Sequence, residues 1–319
     1  MVDNTYHTFD FVTLDVFTAS PYLGNPLAVV KIPTNLKSAI SKEQQQKIAT
    51  EFNFSETVFL HQRADINELK WNIDIFSTTE ELPFAGHPTI GSAFYALTEV
   101  QKEHGEKVRN ATLITKAGEI PLETTIEAGN HGLTVHARVP HNVRIHAQTF
   151  ARLGTQPSWL SPDEKIRELE RNAPFVSIVK GMTFMLIKLE TLEDLALMNI
   201  QHEDLQLDRM LDSEDGWSRS FVGRYYYVLL DKVGGRQNIR TRMLERGMED
   251  PATGSAASAL ASYLGLHGPD KKFEIVQGFE MGRKSIIGVE VELSDDGKSC
   301  KTVKLSGTAV QIMEGTIMI

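Results

Sequence analysis

Polar and apolar residues alternate with a period of two over residues 13–17, TLDVF, which predicts a half-buried strand. A turn over residues 20–26 follows, and residues 27–32 return as a second strand, so the chain opens on a hairpin-like pair. Ser41, with Gln44 three residues on, forms a capping box and predicts a helix that ends near Asn53. Residues 56–60 (ETVFL) and 71–76 (WNIDIF) predict strands. Between Pro83 and Val100 a glycine-containing loop leads into a helix with Ile90, Ala93, Phe94, Leu97 and Val100 on one face. Strand patterns resume at 111–114, 119–124 and 133–139.

Residues 141–160 are poor in long apolar runs, which places a linker at about 146–159 between an N-terminal half (1–145) and a C-terminal half (160–319). The second series has strands at 175–179, 183–189 and 224–230. A loop over 249–255 then leads into a helix with Ala257, Leu260, Ala261 and Leu264 on one face. Strands at 273–276, 286–293, 302–305 and 308–313 follow. The two series read as one unit used twice. Pro83-Phe-Ala-Gly86-His87 lies 168 positions before Pro251-Ala-Thr-Gly254-Ser255, and the same offset pairs Ala93 with Ala261 and Tyr95 with Tyr263. A constant separation of about half the chain is the mark of tandem duplication.

Length agrees, since 319 residues is about two domains. Hydrophobic residues at 41% and charged residues at 24% belong to an ordinary globular protein. A net charge of -9 and short, interrupted basic clusters argue against nucleic acid as a partner. Lys271-Lys272 and Arg240/Arg242/Arg246 read as solvated faces. No stretch approaches the roughly 20 apolar residues of a membrane span, and residues 1–10 lack the basic-then-apolar order of a signal peptide. The expectation is a cytoplasmic protein with no membrane partner. Cys300 is the only cysteine, so neither an intramolecular disulfide nor a thiolate metal cluster can be built.

The candidate chemistry gathers at the repeated loops. Pro88 suits a first helical position, which makes His87 the N-cap of the first helix, and the offset puts Ser255 at the N-cap of the second. Gly86 and Gly254 just before them allow a ligand to approach the backbone. Two helix starts, if the halves face one another, offer a carboxylate two sets of N–H groups in one cleft. Taken singly, each is an ordinary cap. Glu56 is flanked by Phe52, Phe54, Val58, Phe59 and Leu60, with no Lys or Arg between Lys47 and Arg63. In an apolar pocket its pKa rises toward neutrality, as suits a group that accepts and returns a proton near pH 7. The alternative is a solvated acid at a strand edge. Asp250 either orients a substrate or caps its turn; His87 is either an acid–base partner or a satisfied polar residue. Asn25 either offers its amide to a ligand or serves the turn alone.

His131, His136, His141 and His146 recur every five residues, a period that spreads them over different faces and argues against a metal site. No GxxxxGK[ST], GxGxxG or GxSxG motif occurs, so nothing points to a nucleotide, a metal, a flavin or a nucleophilic serine.

Four segments, LDVFTASPYLGNPLAVV (14–30), FSETVFL (54–60), ELPFAGHPTIGSA (81–93) and EDPATGSAA (249–257), with a looser VQGFEMGR (276–283), resemble the phenazine-biosynthesis PhzF-like family in order and spacing. That resemblance implies an α+β, diaminopimelate-epimerase-like fold. Two similar domains, each a curved, mostly antiparallel sheet around a central helix, would hold a site between them. It implies a cofactor-independent isomerase, a homodimer, acting on a small carboxylic acid. In it Glu56 shuttles a proton, His87, Asp250 and Ser255 assist, and Asn25, Gly86 and Gly254 help to hold the substrate. The related epimerases use two cysteines as bases, whereas the equivalent loops here carry Ala85 and Thr253. The chain also departs from the family pattern at Gly282-Arg283-Lys284, where Gly-Arg-Pro is usual, and at Met243-Leu244, where a Phe is usual. Two rival readings stand beside the isomerase: a non-catalytic binding or scaffolding protein of the same fold, and an epimerase using carboxylate bases.

Overall fold

The computed structural model describes residues 7–319, except 64, 66, 106–107, 127–131, 201, 203–204, 206, 208 and 246. His131 and Arg246 therefore lie outside the described residues. The chain forms two compact units, Met1–Arg138 with Ser306–Ile319, and Val139–Leu305.

In the first unit the elements run β1 (Thr8–Val16), β2 (Asn25–Ile32), α1 (Lys42–Phe52), β3 (Glu56–His61), β4 (Lys70–Ser77) and β5 (Glu81–Leu82). They continue as α2 (Gly86–His104), β6 (Asn110–Thr115), β7 (Gly118–Ile126) and β8 (Leu133–Arg138). The second unit has β9 (Arg144–Ile145), α3 (Phe150–Leu153), α4 (Glu164–Asn172), β10 (Phe175–Val179), β11 (Met182–Lys188) and α5 (Leu192–Ala196). After these come β12 (Phe221–Val233), β13 (Arg236–Glu245), β14 (Met248–Asp250), α6 (Gly254–His267), β15 (Lys272–Gln277) and β16 (Ser285–Leu293). The unit boundary falls within β17 (Cys300–Gly307), and β18 (Ala309–Met318) belongs to the first unit.

The duplication is written in the pairing pattern. In the first unit β18, β1 and β2 are antiparallel neighbours, β2–β3 is parallel, β3–β4–β5 is antiparallel, β4–β6 is parallel and β6–β7–β8 is antiparallel. The second unit repeats this order with β9–β10–β11 antiparallel, β11–β12 parallel, β12–β13–β14 antiparallel, β13–β15 parallel and β15–β16 antiparallel. A parallel pair needs a crossover, and in both units the long helix, α2 or α6, supplies the one before the next strand. Each long helix packs within its own unit's strands: α2 against β1, β2, β3, β8 and β18, and α6 against β10, β11, β15 and β16. Their small residues make that possible. A Cβ on Gly91 would come within 2.6 Å of Leu27 and 2.7 Å of Val16, so a larger residue would push the helix off its sheet. The run Gly254–Ser262 in α6 is buried all round, as a central helix should be.

Several local expectations meet the structure as written. Ser41 and Gln44 form both bonds of the capping box, and α1 ends at Asn53 in the left-handed conformation. Others need correction. The segment read as a linker, 146–159, lies inside the second unit, because its aromatic residues are core: Phe150 packs edge-on against Trp159 and Phe175. Strand β13 has no counterpart in the polar–apolar pattern, because Arg240 and Arg242 break the alternation and read as solvated. Instead Arg240 pairs with Glu280 at 3.2 Å and covers the Phe279 ring, while Arg242 forms a two-pronged bond with Glu249 at 2.9 and 2.7 Å.

His146 shows how a histidine can resemble a catalytic one and serve packing instead. Its Nδ1 accepts from the Asp212 N–H at 3.0 Å, so its proton sits on Nε2 and is donated to Ser177 Oγ at 2.8 Å. A ring that donates to a serine cannot serve as that serine's base. Burial lowers its pKa from 6.5, against the opposing pull of Asp212. A depressed histidine adds stability that is present above 6.5 and lost as pH falls below it. The expected outcome is a melting temperature that drops on acidification from pH 7 more steeply in the wild type than in His146→Gln. Equal slopes would remove His146 from the acid response.

Candidate active site

The β1–β2 turn and the two strands after it build the first half of the site. Gly24 sits at φ +69, and a Cβ there would stand 2.3 Å from the Val16 carbonyl oxygen, so the turn admits only glycine. That tight turn delivers Asn25 to the first position of β2, opposite Val16, where it is 2% exposed. Its role is not the turn alone: Asn25 Nδ2 lies 3.3 Å from His87 Nδ1. An amide N–H facing Nδ1 makes that nitrogen the acceptor and leaves the imidazole proton on Nε2. Nε2 in turn lies 3.4 Å from Glu56 Oε2. The three side chains form a line, amide to imidazole to carboxylate.

Glu56 opens β3 and its side chain is 18% exposed, with Oε2 shut off from solvent. Burial raises the carboxyl from its ordinary 4.5 to about 6, against a hydrogen bond from Ser55 that lowers it. Of the two readings open to Glu56, the solvated strand-edge acid is therefore wrong.

Helix α2 starts two residues earlier than Pro88 suggested, so His87 is not its N-cap. Ala85 is the N-cap, its carbonyl accepting from Thr89 N, and Gly86 is the first helical residue. His87 is second and Pro88 third. The first-turn N–H groups of any helix lack a partner four residues back, so proline is tolerated at all of these positions. The second unit makes the same adjustment: Thr253 is the N-cap, its carbonyl accepting from Ala257 N, with Gly254 first and Ser255 second in α6. Ala85 and Thr253 keep the 168-residue offset. Neither N-cap side chain caps its helix.

Thr253 is otherwise engaged. Its hydroxyl donates to Asp250 Oδ2 at 2.5 Å and accepts from Gln277 Nε2 at 2.9 Å. Gln277 is the hub that reading the sequence missed. Its Oε1 accepts from Thr253 N and from the Tyr225 hydroxyl, and its Nε2 also donates to the Asp250 carbonyl oxygen. The buried glutamine thus ties the end of β15 to the loop that carries Asp250. The signal was present in the VQG segment, but nothing local shows what a glutamine on a strand will reach.

The structure therefore assembles Asn25, Glu56, Gly86 and His87 in the first unit, and Asp250, Thr253, Gly254 and Ser255 in the second. A cavity of about 440 Å³ lies elsewhere in the first unit, beside Arg63, Trp71 and Tyr95, and contains none of these residues. Among the described residues no group of three His, Cys, Asp or Glu side chains is arranged to hold a metal ion, and no helix is long and apolar enough to cross a membrane.

Comparison with known proteins gives a consistent result. The model of a family described as phenazine biosynthesis-like protein matches residues 14–315. An uncharacterized isomerase of Mesorhizobium japonicum is 32% identical over 98% of this chain and 99% of its own. A trans-2,3-dihydro-3-hydroxyanthranilate isomerase of Pseudomonas chlororaphis is 30% identical over 97% of this chain and 99% of its own. Among solved structures, a Bacillus anthracis phenazine biosynthesis protein of the PhzF family superposes with a TM-score of 0.73 at 20% identity, covering 98% of this chain and 100% of the other. The fold is accordingly α+β and diaminopimelate-epimerase-like, as the sequence resemblance implied.

Proposed function

We propose that this chain, which belongs to the phenazine biosynthesis-like protein family and is an isomerase, moves a proton within a small carboxylic acid with Glu56 as the carrier. The observation that carries the reading is the line Asn25–His87–Glu56 with a carboxyl raised to about 6. A base near neutrality can take a carbon-bound proton and still give it up. Its proton comes from a carbon alpha or vinylogous to an electron-withdrawing group. The electron pair left behind is spread into that group, which needs no cofactor to accept it. His87, with Nε2–H toward the reacting carboxylate, stabilises negative charge there. Backbone N–H groups of the first helical turn at Gly86–His87 favour the substrate carboxylate through the partial positive charge of a helix start. In the second unit Asp250, Gly254 and Ser255 are assigned binding and assisting roles, their loop held in shape by Thr253 and Gln277.

The test is incubation in deuterium oxide with trans-2,3-dihydro-3-hydroxyanthranilate, the compound named in the relatives, and with a panel of small unsaturated carboxylic acids, followed by proton NMR. Loss of a carbon-bound proton signal from at least one acid is expected. No exchange with any of them would sink the reading and favour a binding protein of the same fold. Asn25 gives a finer check. Asn25→Leu removes the amide that fixes the imidazole tautomer, and kcat is expected to fall about 10-fold with KM little changed, since the group orients a catalytic side chain and does not hold substrate. An equal fall in affinity would place Asn25 on the substrate instead.

A further inference from the structure

Asp15, in β1, is an acid that the site described above does not use. It is 4% exposed, and a buried acid is costly unless it is paired or hydrogen-bonded. Its Oδ2 accepts from the Tyr22 N–H at 2.6 Å, across the turn that delivers Asn25 to β2.

That turn needs a fastening. Between β1 and β2 three residues have left-handed backbone, Phe17 at φ 64, Tyr22 at φ 69 and Gly24 at φ 69. Only the last is a glycine, and for bulky residues such as Phe and Tyr this region is strained. Phe17 is fully buried and its N–H donates to the Thr308 carbonyl oxygen at 2.8 Å, so packing holds it. Tyr22 is 74% exposed, and little packs against it. The bond to Asp15 is what keeps its backbone in place.

Asp15 reaches the site only through that backbone. Leu14, Val16 and Leu27 lie beside Gly91 of α2, and Asn25 pairs with Val16, so Asn25 is on the α2 side of its sheet. Asp15 pairs with Pro26 and, because side chains alternate, projects to the other side. Three residues separate Tyr22 from Asn25, whose Nδ2 stands 3.3 Å from His87 Nδ1.

We propose that Asp15 is a positioning residue: its carboxyl group clamps the strained turn at Tyr22, and the clamped turn keeps Asn25 on His87 Nδ1. The effect on turnover rests on the isomerase reading above; the effect on the imidazole does not. Without the clamp Tyr22 relaxes to negative φ, Asn25 shifts, and the proton of the neutral ring is shared between its two nitrogens. A ring protonated on Nδ1 presents a lone pair at Nε2, and the N–H that faces Glu56 Oε2 is gone.

The experiment compares the full chain with Asp15→Leu, Asn25→Leu and the double variant. Nitrogen-15 NMR of the histidine rings at about pH 8, above the ordinary histidine range, reads the tautomer without substrate, the His87 signals being those that vanish in His87→Gln. The wild type is expected to show Nε2 protonated and Nδ1 bare, and Asp15→Leu a mixture of the two tautomers. Asp15→Leu and Asn25→Leu are each expected to lower kcat about 10-fold with KM little changed, and the double variant also about 10-fold, since one route carries both effects. Asp15→Asn keeps a carbonyl oxygen for the Tyr22 N–H and is expected to stay within about 3-fold of wild type. Tyr22→Pro, at an exposed position, removes the N–H and the left-handed backbone together and is expected to reproduce Asp15→Leu, also where Asp15→Leu does not fold. A double variant that falls about 100-fold, or a wild-type tautomer in both Asp15→Leu and Tyr22→Pro, overturns the assignment. If the wild type converts none of the acids, the isomerase reading fails, and the NMR comparison still decides the role of Asp15.

Discussion

Glu56→Gln is expected to lower turnover by about 10² to 10⁴-fold, the usual contribution of a positioned acid–base group, and to stop proton exchange into substrate. Gln keeps the size of Glu and can still face His87, so the loss reports the missing carboxylate and not a disturbed fold. The pH profile of the wild type carries the same signature. Since Glu56 must be ionised to act as a base, kcat/KM should rise with pH through about 6. The stability of the variant moves the other way. A carboxyl whose folded pKa is raised holds its proton more tightly in the native state, so its stabilising effect is present below 4.5 and is lost as pH rises to about 6. Above that pH the buried charge costs about 2 kcal/mol, taking about 1.4 kcal/mol per pKa unit. Glu56→Gln should therefore be the more stable protein by about that amount at pH 7, and no more stable at pH 4. Urea unfolding at the two pH values measures both. An inactive variant that is also less stable at pH 7 would mean that Glu56 is structural.

The second large effect concerns the buried pair behind the Asp250 loop. Arg242 and Glu249 are only 9% and 7% exposed in their side chains. Arg242 Nη1 also donates to the carbonyl oxygens of Leu195 and Met198 at 3.0 and 2.6 Å, and so fastens α5 and the segment after it to β13. Glu249→Ala leaves a buried guanidinium without its counter-charge, and a loss of about 3–5 kcal/mol is expected from the urea midpoint. The Arg242→Met/Glu249→Leu double variant should recover only part of this. An apolar pair tolerates the site, but the carbonyls that Arg242 satisfied are left unpaired. Because Glu249 adjoins Asp250, the single variant should also lose activity. A change below about 1 kcal/mol would show the pair to be dispensable.

What the sequence made legible was local or repeated. The capping box at Ser41–Gln44 and the offset between Gly86 and Gly254 each use neighbours or a register, and the structure contains both. The strand expected over 13–17 is present as the end of β1, but residues 13–17 are all buried, so its period-two polarity does not mark a solvated face. The apolar flanks of Glu56 likewise anticipated its burial. The contact of Glu56 with His87 was not legible, because 31 positions separate them and only the packing of α2 against β3 joins them. Strand β13 was lost for a related reason. Arg240 and Arg242 read as solvated when their acids are out of view, and Glu280, the partner of Arg240, comes forty residues later. Buried charge is invisible until its partner is placed.

Strand β18 pairs with β1 over its whole length, and His7 and Ile319 exchange backbone hydrogen bonds beyond it. The opening strand of the first unit thus waits for a neighbour some 300 residues downstream. On a ribosome adding about 5–20 residues per second, β1 stands with a bare flank for tens of seconds while the whole second unit is made. The first half to be synthesised is therefore the last to be finished, and nascent chains cut short before residue 309 leave that flank open to strand pairing with other chains.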